Sequence, residues 1–132
     1  MKSFLSPLFR ADSCSYVLEN TRNGEIVAHD LLTAFESATR NKGLLGRDAL
    51  DPRSAMIIAP CSAVHTCFMR FPIDVAFVAR DGRLIKMRTA VAPWRITGAF
   101  GAFAVIEFAA GTLARSKTMS GDVLSLRPAN RE

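Results

Sequence analysis

Cysteine, histidine, tryptophan and tyrosine are scarce in this chain: three Cys, two His, one Trp and one Tyr in 132 residues. Cys14, Cys61 and Cys67 are odd in number and follow no disulfide-scaffold spacing. Reduced thiols are the simpler reading, so the expected compartment is the cytoplasm. The run Cys61-Ser-Ala-Val-His65-Thr-Cys67 lacks the tight cysteine pairs and fourth ligand of a zinc site. No metal and no cofactor are expected. No apolar run approaches the roughly 18 residues of a membrane helix, and the stretch Ala99 to Ala110 contains Glu107. Met1 to Arg10 shows no leader-like apolar segment with a small-residue cleavage site, and no membrane partner is expected. Repeats, low-complexity tracts and Pro/Gly/Ser linkers are missing too. One domain over residues 1–132 follows, with an ordered core of about 15–127 and loose ends on either side.

What the chain does have is a globular balance: 49% hydrophobic and 22% charged residues, enough for one core without staples. The net charge is +5, and arginine dominates the basic residues. Arginine's planar fork suits carboxylates and phosphates. The basic residues are spread along the chain with no cationic helix, so nucleic acid is not an expected partner.

Ser15 to Glu19 and Glu25 to Ala28 flank the turn-rich stretch Asn20 to Gly24, a hairpin pattern. Leu31, Ala34, Phe35 and Ala38 follow helical spacing, and Thr33 with Glu36 forms a capping box, which predicts the main helix over Leu31–Leu45. Ala55–Ala59, Ile73–Val78, Leu84–Met87, Phe103–Phe108 and Asp122–Leu126 read as strands, and Gly111–Lys117 as a short helical turn. Between Val78 and Leu84, a three-residue loop with Gly82 left-handed sets Phe77 against Ile85 and Asp74 against Arg88. That register is preferred to a two-residue turn because it keeps one face apolar and pairs opposite charges. The fold class is therefore mainly β, α+β at most: a compact β-sandwich or barrel-like domain with one main helix and short helical turns.

Asp74 and Glu107 are acids inside apolar strands, a costly placement unless each is paired. Arg47, Arg70, Arg88 and Arg95 are candidate partners. Pro93-Trp94-Arg95 sets an aromatic face beside a guanidinium, a combination that suits a planar anion. His65 and Thr66 precede Pro72, where backbone donors cannot all join a ladder, and Arg70 beside them favours negative charge.

Four segments resemble the bacterial family named domain of unknown function 192. They are Ala38-Thr-Arg40-Asn-Lys-Gly43-Leu44-Leu-Gly46-Arg47; the block Pro60 to Phe77 with Met69, Pro72-Ile73-Asp74 and Phe77; Pro93-Trp94-Arg95; and Val105 to Gly111 followed by Gly121-Asp122. The resemblance spans roughly Ser15 to Leu126. It implies a compact β fold with a helix and no established reaction. The family's usual large aromatic is replaced by Cys67, which argues against a general catalytic role for this thiol. The expected function is binding of a small anionic molecule or peptide group in a polar pocket built from Arg47, His65, Thr66, Arg70, Asp74, Trp94, Arg95 and Glu107. The rivals are a hydrolase or transferase using His65 with Asp74 or Cys67, and a structural or partner-binding protein without a ligand. A monomer or weak dimer is expected.

Overall fold

Alternating apolar positions, short runs and frequent turns give strands rather than helices through most of the chain. The computed structural model describes residues 2–10, 14–36, 39–40, 44 and 46–129. A 3-10 turn (Ser6–Phe9) is followed by β1 (Tyr16–Asn20), β2 (Ile26–Ala28), β3 (Asp30–Ala34), β4 (Ser54–Ile58) and β5 (Ala63–His65). Then come β6 (Ile73–Val78), β7 (Leu84–Val91), β8 (Ile96–Gly98), β9 (Ala104–Ala109), the one-turn helix α1 (Thr112–Arg115) and β10 (Leu124–Pro128).

The strands form three sheets, ordered β10-β1-β2, β3-β4-β9-β6-β7 and β5-β8. Only β3 and β4 pair in parallel; the other described pairs are antiparallel. The five-stranded sheet is covered on both faces. Ala55, Ile57, Ala76, Val78, Ile106 and Phe108 meet Leu18, Val27 and Leu124 of the three-stranded sheet in a first core. Met56, Ile58, Val75, Phe77 and Val105 face a second core, closed by Leu44, Leu50, Met69 and Val64. This two-sided burial explains why β6 and β9 read as nearly continuous apolar runs, with every residue of β6 buried. The architecture is sandwich-like, and the described strands do not close a barrel.

Several expectations change. The helix predicted over Leu31–Leu45 begins as strand β3, in register with β4 from Asp30↔Ser54 to Ala34↔Ile58. Leu31 and Phe35 pack on the first core, and Leu32 and Ala34 on the second. A strand buried on both faces places apolar residues at both parities, and together these imitate helical spacing. Thr39 and Arg40 are helical; residues 37, 38, 41–43 and 45 of the predicted helix lie outside the described residues. The start of the chain is not loose, since Leu5 is fully buried in the first core and the Phe4 N–H bonds the Arg80 carbonyl at 2.7 Å.

The β6–β7 hairpin follows the three-residue loop at its tip. Val78 pairs with Leu84, the Ala79 N–H bonds the Arg83 carbonyl, and Gly82 is left-handed at φ +90°. A bulge between Phe77 and Val78 then moves the register, so Phe77 faces Lys86 and Val75 faces Arg88. The expected Asp74–Arg88 cross-strand pair is lost.

Candidate functional site

Thr66 is the knot of the candidate site. It follows the last residue of β5 and is 1% exposed. Its N–H donates to the Arg95 carbonyl at 2.8 Å, and its carbonyl accepts the N–H groups of Trp94 at 3.0 Å and Met69 at 3.1 Å. Its hydroxyl donates to the Ala92 carbonyl at 2.7 Å and accepts the Arg95 N–H at 2.8 Å. One small polar residue thereby clamps the 66–69 turn to the 92–95 loop. Met69 is buried in the second core and pins the turn from below.

Asp74 holds the end of β7 that leads into that loop. Fully buried on β6, it takes the Ala90 N–H on Oδ1 at 2.8 Å. Its Oδ2 accepts from Gly111 at 3.1 Å and Leu113 at 3.0 Å. Backbone donors, not an arginine, satisfy this acid. A carboxylate that replaces three lost solvent contacts with three N–H groups is stable in an apolar sheet.

The clamped loops carry strain. Phe68, Ala90 and Trp94 are non-glycine residues with φ of 67°, 49° and 68°. A side chain in this region costs on the order of 1–2 kcal/mol. The result is a pair of aromatic rings turned outward: Phe68 is 70% exposed and Trp94 58%. Their centroids are 4.6 Å apart with the planes tilted 59°. Ile96, opposite His65 in the β5–β8 ribbon, is also exposed, as is Phe100 beyond β8.

Polar groups rim these rings. His65 is exposed, and its Nδ1 accepts the Cys67 N–H at 3.2 Å, which leaves Nε2 to carry the proton in the neutral ring. The exposed Arg95 guanidinium bonds back to the carbonyls of Pro93 at 3.4 Å and Trp94 at 3.3 Å. Arg70 pairs with Asp48 on the surface. The structure therefore gathers His65, Thr66, Arg70, Trp94 and Arg95 on two adjoining segments, with Asp74 anchoring Ala90 just ahead of the second. Arg47 is exposed, its N–H bonded to the Leu44 carbonyl at 3.3 Å, and no bond joins its side chain to that group among the described residues.

Glu107 lies elsewhere. Val75 faces Glu107 and Asp74 faces Phe108, so the two acids point to opposite faces of the sheet. Glu107 sits in the second-core layer between Met56 and Val75 in neighbouring strands, with no hydrogen-bond partner among the described residues. Burial pushes its carboxyl up to about 7. Burial also raises the Cys61 thiol, with Glu107 adding to the rise and Arg40 opposing it. That thiol donates to the Ala63 carbonyl at 3.1 Å. A thiol held protonated is a poor nucleophile. His65 bonds the backbone of Cys67 rather than its sulfur, and the Asp74 carboxylate is occupied by three backbone donors.

Phe68, Ala90 and Ile96 are site residues that sequence reasoning missed. Nothing in an amino-acid letter marks a left-handed phenylalanine. The one available signal was the cluster Cys67, Phe68, Met69 and Phe71 around Arg70 just before Pro72, which places apolar residues on both parities, more than one buried face can take.

Two solved structures share the architecture. A protein of unknown function from Novosphingobium aromaticivorans DSM 12444 is 25% identical, with a TM-score of 0.72 over 83% of this chain and 82% of its own. A protein from Sinorhizobium meliloti 1021 described as a "putative transcription regulator" is 22% identical, with a TM-score of 0.73 over 84% of this chain and 91% of its own. No curated protein matches the chain. The knot at Thr66, the acid Asp74 and the apolar strand carrying Glu107 all fall within residues 18–126, which match the model of the DUF192 family, described as an uncharacterised conserved family, and the chain belongs to that family.

Proposed function

We propose that this protein is a binding domain that captures an acidic peptide segment on the Phe68–Trp94 pair. One observation carries the reading: the strain at Phe68, Ala90 and Trp94 surrounds two adjacent aromatic rings left open to solvent. Strained non-glycine backbone persists only where its surroundings over-determine it, and such positions cluster at functional sites. The Thr66 and Asp74 hydrogen bonds are that over-determination. Exposed Trp with flanking arginine is a frequent anchor of protein interfaces. Arg95 and His65 make the rim complementary to negative charge, in a chain of net charge +5. The rings are open rather than enclosed, which favours an extended peptide over a small molecule in a pocket.

Trp94 is the only tryptophan, so its emission reports directly on the surface. A glutamate-rich decapeptide with one central leucine is expected to shift that emission to the blue, and its glutamine counterpart is not. Arg95→Ala should weaken the acidic peptide roughly ten-fold, the usual worth of a charged hydrogen bond, with little change in melting temperature. Duplex DNA serves as the control that separates peptide binding from the role named for the Sinorhizobium neighbour. No shift with any peptide, or an equal shift with DNA, would overturn the reading.

A further inference from the structure

A second candidate site lies away from the aromatic pair. β2, the turn before β4 and α1 enclose a cleft of about 250 Å³. Its floor is formed by Val27 and Thr112, both buried, and its rim carries Glu25, His29, Arg53 and Arg115. The Arg53 carbonyl accepts the N–H of both His29, at 2.7 Å, and Asp30, at 3.0 Å, which fixes the rim residues His29 and Arg53 beside each other. The Arg115 guanidinium folds back over Gly111 and donates to the Thr112 hydroxyl at 3.1 Å. One cation is thus positioned before any ligand arrives.

The rim charges are of both signs, yet no ion pair joins Glu25 to Arg53 or Arg115. The side chains of Glu25, His29 and Arg53 have no hydrogen-bond partner among the described residues. The hydroxyls lining the cleft, in contrast, are used within the protein: Thr112 accepts from Arg115, and Ser116 donates to the Thr112 carbonyl at 3.0 Å and shares a 2.7 Å bond with Thr118. A ligand is therefore recognised by charge at the rim rather than by hydrogen bonds at the floor.

We propose that this cleft binds a small zwitterion, a molecule of amino-acid size with an oxyanion and an ammonium group. Arg53 and Arg115 take the anionic end, the task for which a guanidinium fork is suited. Glu25 takes the ammonium. A simple dianion is opposed by Glu25, and a simple amine by the two arginines. The volume sits below the roughly 300–1,000 Å³ of drug-sized ligand sites, which excludes nucleotides.

The test uses the two-histidine composition of the chain. The His29 ring signals are assigned by NMR with His29→Gln and then followed during titration with 4-aminobutyrate, butyrate and butylamine. The amino acid is expected to give saturable shifts and to bind at least about ten-fold more tightly than either single-charge probe. Glu25→Gln and Arg115→Ala should each remove about that advantage. Arg53→Ala, whose side chain bonds nothing else, should do so without altering the fold. Equal affinity for butyrate and 4-aminobutyrate, unchanged affinity in Arg53→Ala, or no saturable shift at all would overturn the proposal. Trp94 emission stays constant if the cleft acts separately from the aromatic surface, so failure here is distinguishable from failure of the peptide reading.

Discussion

Asp74 and Glu107 stand on adjacent antiparallel strands, one register step apart, and face opposite sides of the same sheet. Both were legible in the sequence as buried acids, because a carboxylate inside an apolar strand is rare. Which partner each would find was not legible, since Asp74 is satisfied by N–H groups contributed 16, 37 and 39 residues away. Glu107 has no such donors, and burial raises its carboxyl from 4.5 to about 7. Between those values the folded chain keeps a proton that the unfolded chain has lost. The folded state then binds more protons, so stability falls as pH rises. Over the whole interval the loss amounts to roughly 3 kcal/mol at 1.36 kcal/mol per pKa unit. Glu107→Gln cannot titrate and should flatten this dependence. Urea unfolding at pH 5 and pH 8 is expected to show the wild type losing roughly 2.5 kcal/mol relative to Glu107→Gln, since a part of the loss precedes pH 5. Parallel pH profiles for the two proteins would show that the carboxyl is solvated or paired. Asp122 does not confuse the measurement. Arg22 and its other hydrogen bonds hold its carboxyl near 2, so its contribution changes only below about pH 4.

At the scale of the element, local turn chemistry was readable and long-range register was not. The β1–β2 hairpin, the limits of β6, the helical turn α1 and the loop Arg80-Asp81-Gly82 all follow from residues close in sequence. The bulge opposite Phe77 and Val78 does not, because its extra residue, Ile85, lies on β7 and carries no turn or glycine signal of its own. Strand β3 was read as helix because both its faces are covered. Strands β5 and β8 are three residues each, too short for any periodicity to register. Gly82 tests what was readable. It combines a φ of +90° with a close approach to β10, where an added Cβ would lie 2.1 Å from the Leu124 carbonyl oxygen. The Gly82 carbonyl also accepts the Leu124 N–H at 2.9 Å, so the loop cannot retreat without breaking that bond. Gly82→Val should cost roughly 3 kcal/mol or more, from left-handed strain plus overpacking. Arg83→Val, at an exposed position, should stay within about 0.5 kcal/mol. Chemical denaturation of the two variants checks this, and similar midpoints would mean that the loop neither needs a left-handed residue nor packs closely on β10.

For the whole molecule, the aromatic surface and overall stability draw on the same loops. His65, Thr66, Trp94 and Arg95 could be singled out from residue chemistry, but that they meet depends on the sandwich bringing residues 66 and 95 together. Three left-handed residues at about 1–2 kcal/mol each are a large share of the roughly 5–15 kcal/mol that holds a domain folded. A protein selected for stability alone would place glycine at such positions. Comparing two truncations isolates this cost. Phe68→Ala and Phe68→Gly lose the same ring and the same contact with Trp94, and differ chiefly in whether a Cβ must sit at φ 67°. Phe68→Gly should therefore be the more stable of the two by about 1 kcal/mol, or about 4 °C in melting temperature for a domain of this size. Ala90→Gly, at φ 49° on an exposed residue, should exceed the wild type by a similar margin, because it relieves strain and removes only a methyl group. Both Phe68 variants should lose the acidic-peptide response of Trp94, whereas Ala90→Gly keeps the rings in place and should weaken it only slightly. If Phe68→Ala matched or exceeded Phe68→Gly in thermal unfolding, the backbone at this position would carry no strain. Stability would then not have been given up for an outward-facing aromatic pair.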